Sequence, residues 1–177
     1  GFVVIATHPV RHGVFLTAAK SAGVSVAICE KPVAPTYRRA RRLVSLERDG
    51  RFRVVVNHER RFSNDYRLAQ LALATGRFGS LQGVHARLYF GANARHDHVL
   101  LHDGTHLIDA IHFLTGRRIV LKQKVGRLRS PRGTVYLHGH LAGERVPVVI
   151  EVGSGRRYLH FEISLSGSDG ELRIGNG

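Results

Sequence analysis

The chain has 177 residues, and 43% of them are hydrophobic, which is enough for a globular core and excludes a disordered polypeptide. No segment approaches the ~20 consecutive apolar residues that a membrane-spanning helix needs, and the single cysteine, Cys29, excludes a disulfide scaffold, so we expect a cytoplasmic protein with no membrane contact. The net charge of +14 is compatible with nucleic-acid binding, but the arginines are scattered and show neither zinc-finger nor helix-turn-helix patterns, so we expect no nucleic-acid partner.

The first third of the chain alternates strands and helices. We predict strands at 2–6, 26–29 and 52–56, a helix over 10–22 and a second helix from Pro35 to about Glu47. The residues that recur at helical spacing on the first helix, and that we expect to face the core, are Val10, Val14, Ala18 and Ala22. Short links between alternating strands and helices are typical of right-handed parallel crossovers. Residues 1–57 are therefore predicted to form half of a doubly wound parallel sheet.

The pattern changes after Asn57, where a long β-rich region follows. Helices are predicted from Ser63 or Asn64 to Gly76 and, after a histidine-rich loop, from about Asp103 to Leu114. Strands are predicted at 81–90, 119–128, 134–141, 146–153, 158–165 and 171–174. Glycine-containing breaks between these short strands predict an antiparallel sheet with helices on one face. Residues 58–177 are therefore predicted to be an α+β domain.

Lys31 follows the second predicted strand, between Glu30 and Pro32. Open α/β sheets bind their ligands at the carboxyl ends of parallel strands. A lysine held at that edge is suited to proton transfer. The alternative is an ordinary surface lysine after a strand, and spacing alone does not separate the two interpretations.

A second candidate site lies on the helix that starts near Asp103. His106 and Asp109 are three residues apart and therefore occupy one face of that helix, an arrangement that suits proton relay or recognition of sugar hydroxyls. With His102, these two residues could form a two-histidine, one-carboxylate metal site. We expect no metal, because Asp103-Gly104 places His102 before the helix, but the metal site stays as the alternative.

Two further polar loops follow strands of the predicted parallel sheet. Thr7-His8-Pro9, with His12, follows the first strand, and the segment 57–62 follows the third. Loops at this edge face the same crevice as Lys31 and could contact a cofactor. The alternative for both is an ordinary polar loop.

Four motifs, in this order, resemble the Gfo/Idh/MocA family of NAD(P)-dependent oxidoreductases, which includes inositol and glucose–fructose dehydrogenases. They are Ala-Thr-x-Pro-x-x-His at 6–12, Glu-Lys-Pro at 30–32, Asn-x-x-x-Arg-Phe at 57–62 and Asp-Gly-Thr-His-x-x-Asp at 103–109. The resemblance covers nearly the whole chain. It implies the second half of a Rossmann dinucleotide-binding domain at 1–57, and an α+β substrate and oligomerisation domain with an open, mainly antiparallel sheet at 58–177.

The same resemblance implies roles for particular residues. Lys31 and His106 are implied to be catalytic and to manage the hydroxyl proton while hydride moves between a substrate carbon and the nicotinamide. The implied substrate-binding residues are Asp109, His102, Asp103 and Arg61. The implied cofactor-binding residues are Thr7, Pro9, His12, Glu30 and Pro32. The implied cofactor is NAD or NADP and the substrate a sugar, polyol or related hydroxy compound, with no metal, and the full-length protein is expected to be a homo-oligomer.

Two departures from the family pattern shape these expectations. Many members place an aspartate four residues before the catalytic histidine, whereas this chain has His102 there and Asp103 one position later. The Gly-x-Gly-x-x-Gly phosphate-binding loop does not occur in the sequence. We therefore expect an inactive fragment that lacks the N-terminal glycine-rich part and the C-terminal end. The alternative function is a non-catalytic sugar-binding or scaffold relative of the same fold.

Overall fold

The computed structural model describes residues 1–91, 94–131 and 133–175. The chain divides into two compact units, Gly1–His58 and Glu59–Gly177. Each unit has its own cluster of buried apolar side chains. Within the described ranges, no helix combines the length and the apolar character needed to cross a membrane.

The first unit is a three-stranded parallel sheet with two helices. Its elements are β1 (Phe2–Ile5), α1 (Pro9–Ser21), β2 (Val26–Glu30), α2 (Tyr37–Leu43), a 3₁₀ turn (Val44–Glu47) and β3 (Arg53–Asn57). The strands lie in the order β1-β2-β3 and pair in parallel, which confirms the predicted α/β pattern. Because the strands are parallel, the loops that follow them leave from one edge of the sheet.

Local signals define the helix ends of this unit. The hydroxyl of Thr36 accepts a hydrogen bond from the backbone N–H of Arg39 at 3.3 Å and so caps α2. Gly23, just after α1, has a φ of +75°, a left-handed conformation that glycine adopts at little cost. These capping residues explain why the strand–helix alternation was readable from the sequence.

The buried face of α1 differs from the prediction. The four residues predicted to face the core, Val10, Val14, Ala18 and Ala22, are all exposed. His12 and Leu16 are fully buried instead, and Leu16 packs with Ile5, Ala27 and Phe52. Apolar residues lie on several sides of this helix, so their spacing does not single out one buried face, and His12 was expected in a loop that could contact a cofactor. The prediction of the inward face was therefore wrong.

The second unit is a six-stranded mixed sheet with helices. Its elements are a 3₁₀ turn (Glu59–Phe62), α3 (Asn64–Ala74), β4 (Leu81–Tyr89), α4 (His96–His102), α5 (Gly104–Thr115), β5 (Ile119–Val125), β6 (Thr134–Leu141), β7 (Pro147–Gly153), β8 (His160–Gly167) and β9 (Glu171–Gly175). The strand order is β5-β6-β7-β4-β8-β9. Strands β4 and β7 pair in parallel, whereas the other described neighbours are antiparallel, which confirms the mainly antiparallel sheet.

Alternation along β4 separates a core face from an outer face. The inner-face residues are Val84, Ala86 and Leu88. They belong to the same apolar cluster as Leu107 and Ile111 of α5, so this helix is held against the sheet. On the outer face, Arg87 forms an ion pair with Glu162 of β8 at 2.9 Å. The sheet therefore supports α5, which carries the candidate histidine.

Helix α4 occupies part of the predicted histidine-rich loop, which is a correction to that prediction. His96 at its start is fully buried, and its Nδ1 lies 3.2 Å from the carbonyl oxygen of Arg127. The backbone N–H groups of His96 and Asp97 donate to carbonyl oxygens in the segment 128–130. These partners are distant in sequence, so no local sequence pattern predicted this helix.

Candidate active site

The loops at the carboxyl edge of the parallel sheet carry the candidate residues of the first unit. Thr7 follows β1 and is exposed, and Pro9 is the first residue of α1. Glu30 ends β2, and Lys31 and Pro32 follow it, joined by a cis peptide bond. The predicted cofactor-binding positions and Lys31 therefore leave the sheet from one edge.

His12 connects two of these loops from inside the unit. Its side chain is fully buried, with Nε2 2.8 Å from the carbonyl oxygen of Thr7 and Nδ1 3.1 Å from that of Pro32. A carbonyl oxygen can only accept a hydrogen bond, so the ring nitrogen that carries the proton donates to its carbonyl, and the buried ring lies between the two loops. Any effect of His12 on a cofactor would pass through the positions of Thr7 and Pro32.

Glu30 joins the carboxyl ends of β2 and β3. Its Oε1 accepts a hydrogen bond from the side-chain amide of Asn57 at 2.7 Å, and the two residues are register partners.

The neighbouring residue Cys29 carries an unreactive thiol. Its burial, with a smaller effect of the Glu30 charge, raises the pKa of the thiol to about 11. The thiol is therefore neutral near pH 7 and is not an activated nucleophile at this edge.

Asp109 and Arg61, both predicted to bind substrate, contact each other in the second unit. Arg61 Nε donates to Asp109 Oδ2 at 2.8 Å, and Nη2 donates to Oδ1 at 2.6 Å, a bidentate ion pair. This hydrogen bonding raises the pKa of the Arg61 guanidinium above its usual value. Only 13% of the Asp109 side chain is exposed, so the pair holds the carboxylate in a fixed orientation on α5.

His106 lies one helical turn before Asp109. Its side chain is only 7% exposed, and its Nδ1 lies 3.5 Å from a carboxylate oxygen of Glu59. Glu59 is the first residue of the 3₁₀ turn Glu59–Phe62. No role for Glu59 followed from the sequence, although its position two residues before Arg61 was an available signal. The structure thus adds a carboxylate to the candidate site.

His102 and Asp103 lie at the junction between two helices. Helix α4 ends at His102 and α5 begins at Gly104, so His102 and His106 belong to different helices. The carbonyl oxygen of Asp103 accepts a hydrogen bond from the backbone N–H of His106 at 3.1 Å. In the part of the chain that the structure describes, no group of three His, Cys, Asp or Glu side chains is arranged to hold a metal ion.

A cleft of about 1000 Å³ opens elsewhere in the second unit. Its walls come from α3, the end of α5 and β6, and include Gln70, Leu114 and Arg117. None of the candidate catalytic or binding residues lines it. The candidate site is therefore defined by the face of α5 and the adjoining 3₁₀ turn, and not by this cleft.

The curated relatives of the chain include inositol 2-dehydrogenases. The chain is 27% identical to inositol 2-dehydrogenase of Corynebacterium glutamicum (strain R) over 157 residues, which are 86% of this chain and 45% of that protein. It is 34% identical to inositol 2-dehydrogenase 2 of Saccharopolyspora erythraea over 122 residues, 67% of this chain and 36% of that protein. These similarities confirm the resemblance of the chain to the Gfo/Idh/MocA oxidoreductases. It spans less than half the length of these two proteins, and no family model matches its sequence.

Solved inositol dehydrogenases of this family share the fold. Myo-inositol 2-dehydrogenase from Lactobacillus plantarum matches with a TM-score of 0.80 at 18% identity, over 98% of this chain and 57% of that chain. Scyllo-inositol dehydrogenase from Lactobacillus casei, solved with bound NAD(H) and scyllo-inositol, matches with a TM-score of 0.78 at 20% identity, over 97% of this chain and 56% of that chain. At these identities the likeness establishes the fold alone, and it confirms the predicted combination of a Rossmann-like sheet and an α+β sheet.

Proposed function

We propose that this protein is an NAD(P)-dependent dehydrogenase that oxidises a polyol of the inositol class. The observation that most supports the proposal is the position of Lys31 at the carboxyl end of β2, in a chain whose curated relatives are inositol 2-dehydrogenases. The single buried thiol of Cys29 supports a cytoplasmic location, because secreted proteins of this size commonly rely on disulfides.

The residues of the first unit fit one part of a dinucleotide site. The loop at Thr7, the start of α1 and the loop at Lys31 leave the sheet at its carboxyl edge, where such sheets bind nucleotides. In contrast, the glycine-rich motif that cradles a pyrophosphate does not occur in the 177 residues. We therefore propose that these residues contact the nicotinamide side of the cofactor.

The chain's own residues handle the proton and the substrate in the proposed reaction. When bound, the cofactor supplies the hydride acceptor. Lys31 and His106 share the transfer of the substrate hydroxyl proton. Asp109 accepts a hydrogen bond from a second substrate hydroxyl, and the bidentate bond to Arg61 holds the carboxylate in the orientation for this contact. Arg61 thereby orients the substrate-binding carboxylate.

We further propose that the 177-residue chain alone is inactive and binds the dinucleotide weakly. The missing glycine-rich motif supports this, because backbone N–H groups of that loop supply most of the phosphate contacts in such sheets. Titration of the chain with NADH, followed by nicotinamide fluorescence, is expected to show no saturation in the micromolar range. Saturable micromolar binding would contradict this part of the proposal.

Turnover by the full-length protein tests the proposed function. We expect NAD(P)⁺-dependent oxidation of at least one member of a panel that contains myo-inositol, scyllo-inositol and glucose. Lys31→Ala should lower kcat by about 10²–10⁴-fold, the range for a lost general acid–base group, with little change in cofactor affinity. Arg38→Ala, which removes an exposed positive charge from α2, is the matched control and should leave kcat unchanged.

Two results would contradict the assignment. Undiminished turnover by Lys31→Ala would remove the lysine from the mechanism. A full-length protein that binds polyols but oxidises none of them would favour the non-catalytic sugar-binding relative.

We also propose that the full-length protein is a homo-oligomer. The family resemblance supports this, as does the side of the six-stranded sheet opposite the helices, which presents an exposed aromatic residue, Tyr136. Light scattering coupled to size-exclusion chromatography is expected to give a multiple of the monomer mass. A monomeric mass at micromolar concentration would contradict the proposal.

A further inference from the structure

We propose that Glu59 is a positioning residue for His106: its carboxylate holds the proton of the neutral imidazole on Nδ1 and leaves Nε2 to receive the substrate proton. The inference rests on the proposed function for its catalytic consequence. The effect on the imidazole itself is a property of the second unit and is measurable without substrate.

The geometry places an anion beside one particular ring nitrogen. The His106 side chain is almost completely buried, and its Nδ1 lies 3.5 Å from a carboxylate oxygen of Glu59. This distance is typical of an ion pair and is slightly longer than a normal hydrogen bond. Because 60% of the Glu59 side chain is exposed, the carboxylate can adjust its rotamer without disturbing the core. His106 is therefore the fixed partner in this contact, and Glu59 is the partner whose side chain can adjust.

The 3₁₀ turn that carries Glu59 is anchored on both sides of the contact. Arg61, two residues later, binds Asp109 through two hydrogen bonds. The guanidinium of Arg60, between them, stacks 3.7 Å from the ring centre of Phe161 in the sheet. The turn and α5 thus meet in two contacts, that of the Glu59 carboxylate with the His106 imidazole and the ion pair of Arg61 with Asp109. The contacts of Arg60 and Arg61 therefore hold the turn in place and keep Glu59 beside His106, although the Glu59 side chain is exposed.

This contact selects one of the two neutral forms of the imidazole. A neutral histidine carries a single N–H, and a hydrogen-bond acceptor at one nitrogen draws the proton to that nitrogen. A carboxylate is a stronger acceptor than water or a neutral group, because it is charged. With the proton on Nδ1, the lone pair that can take a further proton is on Nε2.

The proposed oxidation of the substrate is consistent with a proton on Nδ1 and a lone pair on Nε2 of His106. Bound NAD(P)⁺ would supply the acceptor for the carbinol hydrogen, which would leave with its electron pair as hydride. The electron pair of the O–H bond would then form the second bond of the carbonyl group, and the hydroxyl proton would move to Nε2 of His106. The imidazolium that results lies beside the carboxylate of Glu59, which stabilises its charge. Glu59 therefore acts through His106 and does not need to touch the substrate.

The first test is a nitrogen NMR measurement on the 177-residue chain. With ¹⁵N-labelled histidine at a pH where imidazole is neutral, ring nitrogens with and without a proton give well-separated signals. His106→Gln identifies the relevant pair of signals by their loss. We expect wild-type His106 mainly in the Nδ1–H form, Glu59→Ala to shift it toward the Nε2–H form common in free imidazole, and Glu59→Asp to retain part of the Nδ1–H population.

A matched control separates the local contact from a general charge effect. Glu171→Ala removes a carboxylate from β9, where Glu171 contacts Arg173, and should leave the His106 signals unchanged. The proposal is overturned if wild-type His106 is in the Nε2–H form, or if Glu59→Ala leaves its signals where they were. Circular dichroism verifies that each variant is folded, and the exposure of Glu59 makes loss of folding unexpected.

The second test is kinetic and uses the full-length protein. Glu59→Ala is expected to lower kcat by about 10–100-fold with little change in KM, the usual cost of removing a residue that orients a functional histidine. Glu59→Asp should restore part of the loss. If the wild-type protein oxidises no polyol while the NMR result holds, the proposed function fails and the contact stands. If the wild type is active and Glu59→Ala is equally active, the positioning role fails and the proposed function stands.

Discussion

His12 and His96 are completely buried, yet each places both ring nitrogens near hydrogen-bond partners. The imidazole of His12 lies between the carbonyl oxygens of Thr7 and Pro32, and that of His96 lies between a carbonyl and a serine hydroxyl. A buried polar group is costly unless it is hydrogen-bonded. These two histidines therefore stabilise loops, whereas the candidate catalytic histidine, His106, faces a carboxylate.

Replacing His12 by alanine is expected to destabilise the first unit by about 2–4 kcal/mol, because the substitution leaves a cavity and removes the ring N–H that donates to a loop carbonyl. Urea unfolding followed by circular dichroism measures the change. His8→Ala is the matched control: His8 is exposed and makes only a 3.4 Å contact with the N–H of Val10, so its loss should cost less than about 1 kcal/mol. Equal effects of the two substitutions would contradict the buried linking role.

Cys29 should be chemically inert in the folded chain. Its pKa is raised from 9.0 to about 11, mainly by burial, so at pH 8 its thiolate fraction is about 100-fold lower than that of an unperturbed thiol. We expect alkylation by iodoacetamide at pH 8 to be at least that much slower in buffer than in urea, as measured by mass spectrometry. Similar alkylation rates in buffer and in urea would show that the Cys29 thiol is accessible to the reagent in the folded chain, which would contradict this prediction.

The same shift predicts a loss of stability in alkali. Because the folded pKa of Cys29 lies above the unfolded value, the stabilising effect of the neutral thiol is fully present below about pH 9 and decreases as the pH rises toward about 11. Cys29→Ala should reduce this alkaline decline, which urea unfolding at several pH values can detect.

At the scale of elements, close packing of β5 against β6 depends on a glycine. A Cβ atom built on Gly139 would overlap the backbone carbonyl of Val120, next to the register shift between Leu121 and Gln123. A backbone neighbour cannot rotate away, so Gly139→Ala should destabilise the second unit by about 1–3 kcal/mol. Gly83→Ala in β4 is the control, because the nearest atom, in Pro147, is 4.0 Å from the added carbon. A thermal melt in which both variants lose the same stability would refute this.

Elements with local start and stop signals were predictable, and elements that depend on distant partners were not. Helix α5 was predicted from about Asp103 to Leu114 and extends over Gly104–Thr115, ended by Gly116 with a φ of +67°. Helix α4 was missed, because its first N–H groups bond to the segment 128–130 and one of its two buried residues, His96, is a histidine. Periodicity identifies a helix only when the buried side chains are apolar.

On the scale of the whole molecule, the two units differ in the size of their cores. The first relies on a small cluster around Ile5, Leu16 and Phe52, and Phe2, Val4 and Val55 of its sheet remain exposed. The second has a larger cluster, in which buried residues of β4, β6, β7, β8 and β9 pack with residues of α3, α4 and α5. Parallel sheets usually need apolar cover on both faces, so the first unit should be the less stable of the two.

Hydrogen exchange measured by NMR tests this difference. Amides of β2, the central strand of the first sheet, should exchange faster than those of β4, which has a neighbour on each side in the second sheet. The expected ratio is at least about 10-fold, which corresponds to 1.4 kcal/mol of opening free energy. Equal protection of the two strands would show that the small core is as stable as the large one.

The candidate site was only partly readable from the sequence. The motif at 103–109 placed His106 and Asp109 on one face of a helix, and the structure has them there on α5. Neither the bidentate contact of Arg61 with Asp109 nor the approach of Glu59 to His106 followed from spacing, because both join segments more than forty residues apart. The proposed roles of these residues are predictions for the experiments above.

The sequence by itself determined the order of the strands and of the helices other than α4, the change from α/β to α+β near residue 57 and the family resemblance, because these depend on local periodicity, turn residues and short motifs. The tertiary structure decided which face of α1 is buried, that α4 exists and which charges meet on α5. Each of these depends on partners that are distant along the chain and close in space, such as the carbonyls around His12 and His96. A polar side chain acquires its role from such partners, and a local pattern does not contain them.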